Sequence, residues 1–445
     1  MDRTATKEPR TRTKTNIRLM LLLVAASISV QHLALAARPV VTVDWTRVLK
    51  DVDPKAYGVD CPACLDPAWT HSANLLKPLA AMAAGGKPLI RLHGWGMVTQ
   101  GSNECWINPD NSWNAPKIKS ALTPLIRAGY QLLIDIPSGP GGESDVRDPI
   151  ALAAFAASLV RIVNVDNRFG VRYWEIPNER EHLLDAKQMT NLLSLASKAM
   201  KSVDPTVLVG GPATEGVNVE YIAAVVQDSL PDIDFVSAHT YGGDGKQADS
   251  VSYASAIKAV ADVRLLRTRL SQISKGKYLP IFIDEYNIGW DTTPKILTSE
   301  GAVYFSLIQG GVIDAGGDAS AIWDFSPPHN MSVVGSHGSF HASAHLFSLM
   351  NQYFQGKEVS ALSSDDTGVR VYAVNAPVTH SLLLSNLSDS QQTVTLSFKG
   401  QTPKDFRTYE VSPQGYSGPK HLTWSKLEGE GLRIPPKSVM ILISP

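Results

Sequence analysis

From residue 56 to residue 326 the chain alternates short apolar runs with longer segments in which apolar positions recur at helical spacing. That order predicts repeated βα units and a parallel sheet. Eight runs read as strands: 56–60, 88–93, 131–136, 171–176, 207–210, 233–239, 280–285 and 320–325. Their starts lie 26 to 47 residues apart, so each connection has room for a helix. Helical spacing is clearest over 150–163, 186–201, 253–274 and 299–314. Eight such units predict a closed (β/α)8 TIM barrel, an α/β fold, rather than an open sheet.

Beyond residue 353 the period falls to two, over 369–374, 381–385, 393–398 and 439–443, with turn residues at Asn375, Pro377, Pro413 and Gly415. This predicts a C-terminal β-sandwich. The expected division is a barrel over 37–352 and an accessory sandwich over 353–445, with 40–50 adding a strand to the sandwich. Neither an internal repeat nor a low-complexity linker separates the two parts, which predicts rigid docking.

The N-terminus follows a different rule. Six Lys or Arg against two acids occupy the first 18 residues, an apolar run covers 19–30, and Ala34-Leu35-Ala36 offers small residues for cleavage. This is a secretory signal layout over 1–36 and predicts export to the periplasm or beyond. The alternative is an uncleaved N-terminal membrane anchor, since 19–37 carries no formal charge. If the signal is cleaved, no stable membrane insertion is expected.

Cleavage would leave 35 basic and 40 acidic residues, a formal charge of −5. No basic stripe remains to track a phosphate backbone, which argues against nucleic acid as a partner. Of three cysteines, Cys61 and Cys64 form a CxxC that lacks the βαβ setting of a thioredoxin-like site. A local disulfide is the favoured reading, with Cys105 buried or able to pair with either. A zinc site would need His71 or another fourth ligand, and no second CxxC exists. No metal and no cofactor are expected.

Glu179 ends the fourth strand region and Glu285 the seventh, each at the point where an apolar run gives way to polar loop. Barrels place their chemistry at the C-terminal ends of strands. Two carboxyl groups there suit glycosidic hydrolysis, where one protonates the leaving oxygen and the other attacks the anomeric carbon or activates water. On strand alternation Glu175 is read as a deeper ion-pair partner, and Asp284 as facing away from Glu285.

The motifs Trp174-Glu-Ile-Pro-Asn178-Glu179 and Ile283-Asp-Glu285-Tyr-Asn287 resemble those of clan A retaining glycoside hydrolases. The nearest likeness is to glycoside hydrolase family 39, which includes β-xylosidases, α-L-iduronidases and bacterial exopolysaccharide hydrolases. Ile90-Arg91-Leu-His93-Gly94, Ser237-Ala-His239-Thr-Tyr241 and Ile322-Trp323-Asp-Phe325-Ser326 resemble the same family on strands two, six and eight. The resemblance implies a two-glutamate double displacement on a carbohydrate substrate, with Glu179 as acid/base and Glu285 as nucleophile about 5–5.5 Å apart. It also implies that Asn178 meets a sugar 2-hydroxyl. His239 and Tyr241 would orient Glu285, and Arg91 would keep it ionised. His93 and Trp323 are further substrate-binding candidates, with Trp95 and Trp106 as outer platforms.

This chain departs from the family pattern at Pro177, where Trp or Gly is usual, and at Arg180, which replaces Pro. Those changes leave a second reading open, a catalytically weak carbohydrate-binding or polysaccharide-assembly protein on the same barrel. A thiol redox protein built on Cys61 and Cys64 ranks below both, because no flanking residue would lower a thiol pKa. Sugar identity, endo or exo action and oligomeric state are not encoded in any motif recognised here.

Overall fold

The computed structural model describes residues 38–139, 146–326 and 330–445. Residues 1–36, where a signal segment is expected, and part of the loop after the third barrel strand lie outside them.

Strand β1 (Val40–Asp51) opens the described chain, and eight parallel strands then close a barrel. They are β2 (Tyr57–Asp60), β3 (Leu89–Leu92), β4 (Gln131–Asp135), β5 (Tyr173–Glu175), β6 (Leu208–Thr214), β7 (Phe235–Tyr241), β8 (Ile281–Asn287) and β9 (Ala319–Ile322). All eight sequence runs are strands. Each is followed by a helix, in order α1 (Ala73–Ala83), α2 (Ala115–Ala128), α3 (Pro149–Val160), α4 (Ala186–Val203), α5 (Val219–Ser229), α6 (Asp249–Ile273), α7 (Ser299–Asp314) and α8 (His345–Tyr353). Helix α4 shows why these stretches coil. Asp185 and Gln188 form a reciprocal capping box, and Met189, Leu192, Leu193, Ala196 and Met200 bury one face at helical spacing.

Inside the barrel, side chains change character with height. The floor is apolar, built from Leu89, Leu133, Phe235, Phe282 and Ala319 with Tyr173 packed against them. One step up in the same parity stand Arg91, Asp135 and Glu175, all buried, and the next step carries His93 and His239. The polar site therefore rests on a dry floor at the C-terminal end of the strands.

A bulge interrupts β8. Ala238 pairs with Ile283 but His239 with Glu285, and on the other side Ile283 pairs with Ser320 but Tyr286 with Ile322. Both neighbours skip one residue, so strict alternation fails here. Asp284 and Glu285 consequently both approach the polar side chains of the barrel interior, which corrects the expectation that they face opposite sides.

The second sheet is mixed and has nine strands in the order β15-β14-β17-β12-β11-β10-β1-β13-β16. After β1 its members are β10 (Lys357–Ser363), β11 (Val369–Ala376), β12 (Thr379–Asn386), β13 (Gln392–Lys399), β14 (Asp405–Ser412), β15 (Gly415–Thr423), β16 (Leu432–Ile434) and β17 (Ser438–Ser444). Phe398 of β13 stacks on Phe406 of β14 at 6.1 Å although six places separate the two strands in the sheet. Six strand spacings would span about 29 Å in a flat sheet, so this one curls over its own face. Val41, Val43, Leu382, Leu384, Val394, Phe406 and Leu442 share the enclosed core. The opposite face, including Tyr372, Val374, Leu383, Ile441 and Ile443, joins the barrel's core. Cys61 and Cys64 are disulfide-bonded and Cys105 is free and buried.

Candidate active site

Arg91 organises the site. It projects from β3 with no accessible surface and donates to Asp60 Oδ2 (2.6 Å), Glu175 Oε2 (2.8 Å), Glu285 Oε2 (2.9 Å) and Asn178 Oδ1 (2.6 Å). Asp135 Oδ2 lies 3.7 Å from its Nη2 and accepts the Gly94 amide at 2.9 Å. A planar guanidinium with five fixed donors suits such a crowded acidic ring. The ring's acidic charge is thus balanced by a cation the protein itself supplies.

Burial and charge sort these carboxyls into two classes. Burial raises Asp60 well above the ordinary range even against Arg91, and raises Asp135 to about 7. Burial first and then the charge of Glu175 push Asp284 up in the same way. Burial also works against ionisation of Glu285, but His239 and Arg91 outweigh it and bring that carboxyl down to about 2. Glu175 is likewise lowered, with Arg91 overcoming its burial. The fold thus supplies ionised Glu285 and Glu175 beside Asp60 and Asp284, which hold their protons more tightly.

Glu179 reaches the site by a different device. The chain leaves β5 at Glu175 and places Glu179 in left-handed backbone, φ 51°, with its amide bonded to Ala213 O at 2.9 Å. A non-glycine residue with positive φ costs about 1 kcal/mol or more and persists where its surroundings fix it. His239 Nδ1 lies 2.6 Å from Glu179 Oε1 and 3.8 Å from Glu285 Oε2. The Tyr241 hydroxyl donates to Glu285 Oε1. One oxygen of Glu179, one of Glu285 and a ring nitrogen of His239 all lie within 4.8 Å of one another.

Other candidates fall into three groups. Asn178 and Tyr241 are partly exposed beside the glutamates, and Trp323 packs edge-on against His93 with centroids 5.0 Å apart. His93 Nδ1 accepts from Arg91 at 3.4 Å, and burial followed by the Arg91 charge lowers its pKa to about 3, so the ring is neutral. Arg91 and His239 have no accessible surface, which corrects their reading as substrate contacts: they can act only through Glu285, Asn178 and Glu179. Trp106 is also fully buried, with its indole N–H bonded to Leu65 O at 2.8 Å, and is a packing residue rather than a platform. Trp95 is 66% exposed.

Asp60, Asp135 and Trp290 were not singled out from the sequence. The first two carried a signal, an acid at the polar end of an apolar run. Trp290, 61% exposed three residues beyond β8, carried none. Arg180 donates to Ser138 Oγ at 3.0 Å and to the Glu179 carbonyl at 3.2 Å. Beside Tyr241 an open cleft of about 440 Å3 is lined by Glu181, Glu215, Asn218, Ser255, Lys258 and Asp262 among others.

The family model of glycosyl hydrolases family 39 matches residues 163–357, the stretch that contains both glutamates, His239 and Tyr241. The match is to that stretch of the chain, and it makes residues 163–357 similar to that family. A β-xylosidase of Geobacillus stearothermophilus is also similar, 28% identical over 170 residues, which are 35% of this chain and 31% of that relative, so the chain spans about a third of the relative's length. A family 39 β-xylosidase from Caulobacter crescentus shares the fold with a TM-score of 0.64 at 18% identity, over 91% of this chain and 99% of that one. A family 51 α-L-arabinofuranosidase from Thermotoga petrophila RKU-1 does so at 0.69 and 13% identity, over 92% of this chain and all of that one. At those identities the two structures share the barrel and its attached sheet with this protein, and only the fold is inferred from them.

Proposed function

We propose that the protein is an exported retaining glycoside hydrolase, with Glu179 as acid/base and Glu285 as nucleophile, acting on a polysaccharide or oligosaccharide. The observation that carries this reading is the approach of the two carboxylates within 4.8 Å. Retaining pairs lie about 5–5.5 Å apart, whereas inverting pairs leave about 6.5–9.5 Å for a water.

In the first step an ionised Glu285 oxygen attacks the anomeric carbon while Glu179 gives its proton to the departing oxygen. A covalent glycosyl ester on Glu285 results. In the second step Glu179, now a carboxylate, takes a proton from water, whose oxygen displaces Glu285 and restores it. Arg91 and Tyr241 hold the nucleophile charged and oriented. Asn178, fixed by Arg91, is placed to meet a substrate hydroxyl beside it.

The exposed Trp95, which follows His93 by two residues, and Trp290, which follows Glu285 by five, support a substrate longer than one sugar. The similarity to family 39 and the β-xylosidase relative support a β-xyloside-like or exopolysaccharide-like glycan. Export rests on the N-terminal pattern alone, and N-terminal sequencing of the mature protein tests it.

The test of function is hydrolysis of a panel of nitrophenyl glycosides and polysaccharides by the wild type and by Glu285→Gln, with product anomer followed by NMR. We expect cleavage with retained configuration that Glu285→Gln abolishes. Undiminished turnover in that variant, or inverted product, would overturn the assignment. Tight glycan binding without cleavage would favour a binding or assembly protein instead.

A further inference from the structure

The mechanism leaves one buried acid without a role. Asp284 stands one step above the floor residue Phe282, directly before the nucleophile that the β8 bulge brings in beside it, and it has no accessible surface. Its carboxyl, that of Glu175 and the His239 ring approach within 4.8 Å. Asp284 Oδ1 faces His239 Nε2 at 3.8 Å, while the other ring nitrogen lies 2.6 Å from Glu179. Among the described residues no donor reaches either Asp284 oxygen and His239 Nε2 has no partner, while the Asp284 carboxyl lies against that of Glu175. Buried polar atoms are rarely left so, and Asp284 Oδ1 is the acidic group that faces His239 Nε2, at 3.8 Å.

We propose that Asp284 is a positioning residue for the acid/base: a neutral carboxyl that donates to Glu175 and accepts from His239 Nε2, keeping Nδ1 of that ring a donor to Glu179. The proposal rests on the reading of Glu179 as the acid/base. Each partner fits its part. Glu175 is an ionised acceptor held by Arg91, and Asp284 is kept protonated by burial and by that neighbouring charge. His239 stays in its protonated form more readily than a free imidazole, since Glu285 and Glu179 outweigh its burial. A ring protonated on both nitrogens needs an acceptor at each end, and Asp284 is the group facing the second. The other charges around the ring are Arg91 from β3, Asp135 from β4 and Glu175 from β5.

When Glu179 has given up its proton, the Nδ1–H of His239 faces a carboxylate. Without an acceptor at Nε2 the ring would lose its second proton more easily, and Nδ1 could become an acceptor facing Glu179. Asp284 opposes that change without adding a negative charge to a site already rich in carboxylates.

The test compares Asp284→Asn, Asp284→Leu and Asp284→Ser in the full-length protein. An asparagine amide reproduces the bridge, its NH2 toward Glu175 and its oxygen toward Nε2. Leucine keeps the volume and removes both bonds, and serine is the second variant should leucine impair folding. Two readouts are used. Kinetics compare a dinitrophenyl glycoside, whose leaving group needs no acid, with an oligosaccharide, whose leaving group does. Nitrogen-15 NMR of the His239 ring follows its protonation whether or not the protein turns over substrate.

For Asp284→Leu we expect kcat/KM on the oligosaccharide to fall about tenfold or more, within the range general acid catalysis supplies. Attack on the dinitrophenyl glycoside should change less than about threefold, and the His239 midpoint should drop by about one pH unit. Asp284→Asn should stay near wild type in all three. Equal losses on both substrates, or Asn and Leu behaving alike, or an unmoved His239 midpoint, would overturn the proposal. If the wild type hydrolyses no glycoside, the hydrolase reading fails, while the NMR comparison still decides whether Asp284 governs the ring.

Discussion

Glu285 is held by a charge at one oxygen, Arg91 Nη1 at 2.9 Å, and by a neutral donor, the Tyr241 hydroxyl, at the other. The two can be separated by mutation. Tyr241→Phe removes one hydrogen bond to a charged group and nothing from the floor below it. Such a bond contributes about 1.5–3 kcal/mol, so kcat/KM should fall roughly tenfold to a hundredfold with the melting temperature nearly unchanged. Steady-state kinetics and calorimetry on the same preparation check both halves. How much of this was legible differs by residue. Glu179 and Glu285 stood out because each lies where an apolar run gives way to polar loop and because their motifs resembled a family's, a support that Asp60 and Asp135 lacked. The relation of Asp284 to Glu285 was misread because a bulge leaves no mark in the pattern when the two consecutive residues it brings to one side are both acidic. Trp106 was misassigned because an indole in a loop segment looks the same in sequence whether it faces glycan or core.

Elements followed their patterns where one periodicity ran unbroken. All eight barrel strands and the helices α3, α4, α6 and α7 appear where apolar spacing put them, within a few residues at the ends. The missed elements have local reasons. In β14 Phe406 faces one core and Tyr409 and Val411 the other, so its buried residues do not share a parity and no alternation stands out. Its partner β15 buries little and reads as polar loop. In β10 a buried Glu358 sits beside Val359, which hides the strand behind a charge. Capping is the element-level feature easiest to test. Asp185→Ala removes half of the α4 capping box and should lower stability by about 1 kcal/mol, read from denaturant unfolding, while activity is unaffected because α4 lies on the outside of the barrel.

At the scale of the whole molecule, the junction between sheet and barrel carries its own titration. Glu358 is 1% exposed, and burial together with the charge of Asp314 raises its carboxyl to about 8 despite Lys50. The folded pKa lies above the unfolded one, near 4.5, so the native state holds this proton more tightly. Stability from this group is complete below about 4.5 and declines as pH rises toward 8, by up to about 1.4 kcal/mol per pH unit. Glu358→Gln, which cannot ionise, should flatten that decline. Urea unfolding of both proteins from pH 5 to 9 measures it, and parallel curves would show that Glu358 has little part in it. The same junction ties the ends of the chain together. Strand β1 lies between β10 and β13, and Val41 pairs with Ser363, 322 residues later. A fragment covering 39–352 should therefore expose an unpaired apolar strand and be recovered largely as aggregate; a soluble fragment with a cooperative melt would contradict this. During synthesis the first strand made is among the last to be satisfied. A ribosome must deliver more than three hundred residues before β1 meets a neighbour, so the order of assembly is dictated by the tail.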